Sequence, residues 1–356
     1  MRIVQIVSSI SSINYGVWQA AVFGSTYLNK TYNVDSELWI CTKTKFDTIE
    51  PEIPYKYFKD HEMGGKGLKK WLTLFNKEET IIITHGAWLK PTFIGYKAKL
   101  AGFRWIYLSQ GMFEPWALSN GWLKKKVYFA LFEKRMCKQA DIIRAVSLPE
   151  ERNLRKLFKS KICLVHNGVK FNLFNPEEKV STKKIYLFLA RLHHKKGILP
   201  LVKGWSISMK GNPDVELLIV GPDEGELSKV SPFINGNIKY CGPMFGEEKI
   251  KMLQMAHYYV LPSFSEGFPS SVVEAMSFGA IPIISEGCNF PEVFNEDLGY
   301  EITTEEEAIA NVLRKVCNIQ YDIGLARRNI NYVKENLTEN IIGDKLFSIY
   351  KEITSN

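Results

Sequence analysis

Short runs of β-branched and aliphatic residues recur along this chain, each followed by a stretch with helical spacing, and the series runs twice. In the first half the runs are Arg2–Ile10, Glu37–Cys41, Thr80–Thr84, Arg104–Leu108, Asp141–Val146 and Ile162–Val165, with helical stretches such as Val17–Leu28 and Leu123–Lys138 between them. The series restarts with Ile185–Ala190, Leu217–Val220, Ile238–Cys241, Tyr258–Leu261 and Ile281–Ile284. Strand alternating with helix in this way predicts parallel, doubly wound sheets, hence an α/β protein. Two domains account for 356 residues more economically than one enormous sheet. Turn residues gather from Asn167-Gly168-Val169 to Asn175-Pro176, so the expected division is 1–169 and 170–339. Residues 305–335 read as helical, and Asn340–Lys351 as a last helix within a tail, 340–356, expected to pack back on the first domain.

Composition narrows the class. A hydrophobic fraction of 46% and a charged fraction of 24% are ordinary for a folded soluble chain. No apolar run approaches the roughly 18 residues of a membrane span, and Met1-Arg2-Ile3-Val4 enters a strand pattern without signal-peptide architecture. A cytoplasmic protein is the expectation. Six scattered cysteines, with no Cys-x-x-Cys pair and no neighbouring His spacing for zinc, read as buried reduced thiols. Charge is uneven: residues 1–169 hold 26 Lys and Arg against 14 Asp and Glu, a net +12, while the remainder hold 20 against 24, a net −4. An anionic partner for the first half follows, either a membrane surface or a lipid-pyrophosphate acceptor; the alternative is a solvated basic surface. No nucleic-acid recognition module is present in the sequence, so a nucleic-acid partner is not expected.

The stretch Tyr258 to Met276 reads as strand, sharp loop and helix. Pro269 suits a first helical turn, and Ser270 or Ser271 would satisfy neighbouring free amides. Such a helix start at a strand end seats an anionic phosphate. Glu266 precedes that seat and Glu274 lies about one turn inside the helix. Carboxylates repel a phosphate but accept hydrogen bonds from paired hydroxyls, which points to a sugar nucleotide. The competing reading leaves Glu266 solvated and Glu274 favouring the helix start through its dipole. Arg191, Lys195 and Lys196 follow the run Ile185–Ala190. They supply the charge that a departing pyrophosphate needs, or else form a solvated basic turn. Ligands of doubly wound sheets bind outside the carboxyl ends of strands, and two such sheets facing each other would make a cleft. The candidate motifs Ser8–Gly16, His85, Arg191, Gly221-Pro222-Asp223 and Glu266 all follow strand patterns.

In order and spacing, Arg191…Lys196-Gly197, Val220-Gly221-Pro222, Gly242, and Ser265-Glu266-Gly267-Phe268-Pro269…Glu274-Ala275-Met276…Gly279-Ala280-Ile281-Pro282 resemble the C-terminal half of family 4 retaining glycosyltransferases. His85-Gly86-Ala87-Trp88 and Gly111-Met112-Phe113-Glu114-Pro115-Trp116 resemble a bacterial surface-polysaccharide subgroup. The resemblance implies a GT-B fold: two Rossmann-like domains facing across a cleft, with the nucleotide-sugar donor in the second and a glycan or lipid-linked saccharide acceptor mainly on the first. It implies that Arg191 and Lys196 bind the donor pyrophosphate, Glu266 the transferred sugar and Glu274 the ribose. Main-chain amides of Phe268, Ser270 and Ser271 would line sugar and phosphate, Met244 would lie near the base, and His85 would face the sugar. His85 is otherwise a structural histidine capping a strand end. Transfer would retain anomeric configuration without a metal ion or other cofactor. The base, UDP or GDP, is left open.

Two departures from the family pattern bear on the acceptor. Only Gly16 stands where paired glycines are common, and Leu108-Ser109-Gln110 replaces a frequent Ser-Pro-Arg. The segment Gly121–Phe132 reads as a basic amphipathic helix that either lies on a membrane or packs its apolar side in the core. The sequence thus predicts a glycosyltransferase of polysaccharide or lipopolysaccharide assembly. Its rivals are an epimerase or hydrolase of the same fold, and a non-catalytic nucleotide-sugar-binding protein. A dinucleotide oxidoreductase is disfavoured because no Gly-x-Gly-x-x-Gly follows a strand.

Overall fold

The computed structural model describes residues 1–11, 15–44, 50–58, 65–88, 90–116, 127–179 and 181–355. The chain divides into two compact units, Met1–Gly168 with Glu339–Asn356, and Val169–Thr338.

The first unit is built on a seven-stranded parallel sheet of order β3-β2-β1-β4-β5-β6-β7. The strands are β1 (Arg2–Val7), β2 (Asp35–Ile40), β3 (Tyr55–Tyr57), β4 (Thr80–His85), β5 (Arg104–Leu108), β6 (Ile142–Ala145) and β7 (Ile162–Leu164). Every residue of β4 is buried, as expected of a parallel strand covered on both faces. Helical spacing in Val17–Leu28 resolves into two helices, Tyr15–Val22 and Ser25–Tyr32, because Gly24 turns the chain at φ 77°. The C-terminal helix, Glu339–Ser355, joins this unit through Asp344, whose Oδ1 accepts from Tyr27 at 2.6 Å and Tyr32 at 2.9 Å. Tyr32 also stacks on Phe347 with ring centroids 3.8 Å apart.

The second unit holds a six-stranded parallel sheet of order β10-β9-β8-β11-β12-β13. Its strands are β8 (Lys184–Leu189), β9 (Val215–Val220), β10 (Ile238–Tyr240), β11 (Tyr258–Leu261), β12 (Ile281–Ser285) and β13 (Tyr300–Ile302). The expected helical region 305–335 is two helices, Glu306–Cys317 and Ile323–Asn336. Asp322 starts the second by accepting from the Leu325 N–H at 2.9 Å.

Two expectations need correction. Strand β1 ends at Val7 rather than Ile10, and the cysteines are not uniformly buried, since Cys163, Cys241 and Cys317 are half-buried. In each sheet the strand order reverses once, between β1 and β4 and between β8 and β11. These are the places where doubly wound sheets bind ligands.

Candidate functional site

The switch point of the second sheet gathers the sequence-predicted charges. The basic loop after β8 packs against the loop after β11 so closely that a Cβ on Gly197, at φ 68°, would lie 2.0 Å from the Pro262 carbonyl oxygen. The same loops are tied by the Phe264 N–H to the Lys195 carbonyl at 2.8 Å and by Ser263 Oγ to that carbonyl at 3.0 Å. Lys196 is thereby delivered to Glu266, with Nζ 2.7 and 2.8 Å from the two carboxylate oxygens. Ser263 Oγ donates to Glu266 Oε1 at 2.6 Å, and Asn289 Nδ2 donates to the Glu266 carbonyl at 2.6 Å. Burial pushes the Glu266 carboxyl up, but the Lys196 and Lys195 charges and the two side-chain hydrogen bonds outweigh it and hold the group below its ordinary value.

Arg191 does not stand free beside Lys196. Its Nη1 reaches both oxygens of Glu224, at 2.7 and 2.5 Å. Glu274 lies in the helix Ser270–Ser277 and takes a 2.7 Å bond from Lys249 on the helix Gly246–Met255. Four of the charged groups the sequence selected in this unit are therefore each held by a partner of opposite charge: Arg191 by Glu224, Lys196 and Glu266 by one another, and Glu274 by Lys249. Glu224, Lys249, Ser263 and Asn289 were not selected from sequence. Glu224 had a signal, directly after the Gly221-Pro222-Asp223 motif that follows β9, and Ser263 lies within the stretch Tyr258 to Met276.

The helix start differs from its expected form. Pro269 is the cap residue rather than part of the first turn, and no side chain caps the helix. Ser271 Oγ lies 2.7 Å from Tyr259 Oη, and the Ser270 N–H donates to the Phe268 carbonyl at 3.0 Å. Phe268 is buried against Phe290, and Met244 is half-buried in the loop after β10.

In the first unit His85 closes β4 at 1% exposure. Its ring sits between Gln5, 2.8 Å from Nε2, and Gln110, 3.1 Å from Nδ1. It is a buried strand-end histidine, and burial with the nearby Arg144 charge lowers its pKa to about 3. Gly16 falls in the first turn of the helix Tyr15–Val22, and no atom crowds the position a Cβ would take. The residue pattern after β4 gains a support unseen in sequence. Glu133, fully buried, accepts from the Trp88 N–H at 3.1 Å, Thr92 Oγ1 at 2.9 Å and Tyr107 Oη at 3.2 Å. A π-helical turn, Phe129–Glu133, leads into the helix Lys134–Cys137 and turns Glu133 inward. Of the predicted amphipathic segment, residues 121–126 lie outside the described residues, as does Asn14 in the first loop. Among the described residues no three His, Cys, Asp or Glu side chains cluster as metal ligands.

Comparison with known proteins follows the same division. The family described as glycosyl transferases group 1 matches residues 169–336. The chain is 30% identical over 161 residues to the Campylobacter jejuni N,N'-diacetylbacillosaminyl-diphospho-undecaprenol alpha-1,3-N-acetylgalactosaminyltransferase, covering 44% of this chain and 39% of that protein. It is 26% identical over 196 residues to the Staphylococcus aureus capsular polysaccharide biosynthesis glycosyltransferase CapH, covering 52% of this chain and 54% of the relative. The chain thus spans about half or less of these relatives' lengths. Solved structures match over nearly the whole chain. Anabaena HepE in complex with UDP superposes with a TM-score of 0.77 at 16% identity, covering 99% of this chain and 100% of HepE. A glycosyltransferase from Rickettsia africae gives 0.76 at 18% identity, covering 100% and 99%.

Proposed function

Residues 169–336 belong to the glycosyl transferases group 1 family and the chain has the GT-B fold, and on that premise we propose that it moves a hexose-type sugar from a nucleotide sugar to a glycan or lipid-linked saccharide. The observation that carries this reading is the pairing of Glu266 with Lys196 at the switch point of the second sheet. One cation and one carboxylate, held within 2.8 Å, are the two chemistries a sugar diphosphate presents for recognition: charge for the diphosphate, acceptors for the hydroxyls.

In this reading Lys196 and Arg191 take the donor pyrophosphate and stabilise its charge as it leaves. Glu266 accepts from hydroxyls of the transferred sugar, and Glu274 from those of the ribose. The backbone of Phe268, Ser270 and Ser271 lies along sugar and phosphate, with Met244 toward the base. The departing phosphate takes the acceptor's proton on the same face, so configuration at the anomeric carbon is retained and no protein nucleophile is needed. His85 contributes by position, since both ring nitrogens are already bonded.

A thermal-shift panel of UDP-, GDP- and other nucleotide sugars tests the proposal. A specific donor raises the melting temperature with concentration, because it binds the folded state. No stabilisation by any nucleotide sugar overturns it. Turnover of the stabilising donor without acceptor, beyond slow leakage, would favour an epimerase or hydrolase, and binding without any product a non-catalytic protein.

A second surface favours work beside a membrane. No helix among the described residues is long and apolar enough to cross one. Within the π turn, however, Leu131 and Phe132 stand 53% and 55% exposed, with exposed Val127 and Tyr128 before them and the cations Arg135 and Lys138 after them in sequence. Exposed apolar side chains close in sequence to positive charge suit an anionic lipid surface. On this reading the enzyme meets a lipid-linked acceptor at the cytoplasmic face.

A further inference from the structure

A line of polar side chains crosses the carboxyl edge of the first sheet. Arg144, on β6 and 6% exposed, donates from Nε to the Val165 carbonyl at 3.0 Å, and from Nη2 to the His166 carbonyl at 3.0 Å and Asn167 Oδ1 at 3.2 Å. Asn167 Nδ2 continues to Gln110 Oε1 at 3.4 Å, and Gln110 Nε2 to His85 Nδ1 at 3.1 Å. His85 Nε2 then meets Gln5 Oε1 at 2.8 Å, and the Gln5 side chain hydrogen-bonds Tyr350 of the C-terminal helix.

The line has a direction, and Arg144 sets it. A guanidinium only donates, so the oxygen of Asn167 faces it and the amide nitrogen faces onward. Each carboxamide repeats the step, because one end accepts and the other donates. The imidazole inherits the result: Nδ1 accepts and the proton sits on Nε2.

Gln110, like Asn167, lies beyond a strand end. It follows β5 beside the β1/β4 reversal, is half-buried, and holds φ 54°, a left-handed conformation that a non-glycine residue keeps where the surrounding structure over-determines it. Glu150 grips both flanking residues, accepting from Ser109 Oγ and the Gly111 N–H, each at 2.6 Å. A carboxamide has two N–H donors and two lone pairs on oxygen; the line uses one of each.

We propose that Arg144, Asn167 and His85 are positioning residues that orient the Gln110 carboxamide, whose remaining N–H and oxygen bind adjacent hydroxyls of a saccharide acceptor. The acceptor contact rests on the glycosyl-transfer reading; the direction of the line does not.

Nuclear magnetic resonance of the full chain labelled with [15N]histidine reads the line directly, with the His85 ring identified by its loss in His85→Gln. A single Nε2–H tautomer is expected in the wild-type protein, retained in Arg144→Lys and split between tautomers in Asn167→Leu. An Nδ1–H ring or a mixture in the wild type overturns the line even if no variant folds, and so does a single tautomer persisting in folded Asn167→Leu. The contact is read with the nucleotide sugar that gives the largest thermal shift and a panel of synthetic polyprenyl-diphosphate saccharides. Gln110→Ala should raise acceptor KM about tenfold with donor KM unchanged. Unchanged acceptor KM overturns the contact, whereas wild-type protein that transfers to no acceptor overturns the glycosyl-transfer reading instead.

Discussion

Lys196 Nζ lies 2.7 Å from one oxygen of Glu266 and 2.8 Å from the other, so a single ammonium holds both lone-pair faces of a nearly buried carboxylate. Removing the cation alone leaves that carboxylate desolvated. Lys196→Met should therefore cost about 3 kcal/mol of unfolding free energy, toward the low end for a buried pair because both side chains keep some solvent contact. Pairing it with Glu266→Gln should restore most of that stability without restoring turnover, which falls about 100-fold when a charge-stabilising donor is lost. Denaturant unfolding beside steady-state rates separates the two roles. Full turnover in the double variant would remove Lys196 and Glu266 from the chemistry.

The same pair has a pH signature. Burial raises the Glu266 pKa, yet the neighbouring lysines leave it below the ordinary 4.5. A folded value lower than the unfolded one contributes stability above about pH 4.5, lost as pH falls through the folded value. The stability difference between wild type and Glu266→Gln should shrink on acidification through that window. A difference constant with pH would show that the carboxylate is not held in its charged form.

Glu274 and Lys249, 2.7 Å apart, form a more exposed pair, at 28% and 17% side-chain exposure. Such pairs contribute about 0.2–1 kcal/mol, so Glu274→Ala should melt close to the wild type. Its nucleotide affinity should nevertheless fall about tenfold or more, the loss of a hydrogen bond to a charged group. Lys249→Ala, which frees the carboxylate, should weaken UDP or GDP binding less. Calorimetry that returns the opposite order would make the lysine the nucleotide contact.

The second sheet was legible because its strands are long apolar runs ending in glycine, proline or charge. Tyr258–Leu261 in that sheet and Arg104–Leu108 in the first match the observed strands residue for residue, while β3 and β13 were missed. Each has three residues with Lys56 or Glu301 at its centre, and at a sheet edge so short a strand carries no apolar run to read. Site residues showed the same limit. Arg191, Lys196, Glu266 and Glu274 stand out because charge beside a buried strand is conspicuous. Of their partners, Glu224 follows directly on the Gly221-Pro222-Asp223 motif, whereas Lys249 sits among ordinary surface charges and tertiary packing alone selects it. Gln5, inside an apolar run, offered only a polar residue in a strand, and nothing local links it to His85 80 residues away.

His85 should be silent across the neutral range. With its pKa lowered by burial to about 3, the folded ring stays uncharged where a free imidazole would titrate near 6.5. A rate profile between about pH 5 and 8 should show no limb that disappears in His85→Gln. Stability carries the opposite sign from a histidine that gains a carboxylate partner: the neutral ring contributes fully above 6.5 and progressively less as pH falls toward 3, since the unfolded chain then binds the extra proton. A ring that titrates near 6.5 in the folded protein would mean that the hydrogen bonds to Gln5 and Gln110 do not hold it.

Leu131 and Phe132 follow from the turn that buries Glu133. The π turn adds a residue to one helical circuit, so the carboxylate reaches the Trp88 N–H while the two residues before it project outward. Because they are exposed, Leu131→Ser with Phe132→Ser should leave the melting temperature nearly unchanged. Fully burying such side chains in lipid contributes about 1.5–3 kcal/mol each, so even partial insertion predicts a loss of about tenfold or more in binding to phosphatidylglycerol-containing vesicles. Binding to those vesicles should weaken with salt, as the attraction of Arg135 and Lys138 is screened, and should be poor on neutral phosphatidylcholine. Co-sedimentation in which the double variant matches the wild type would show that this helix face does not enter the bilayer.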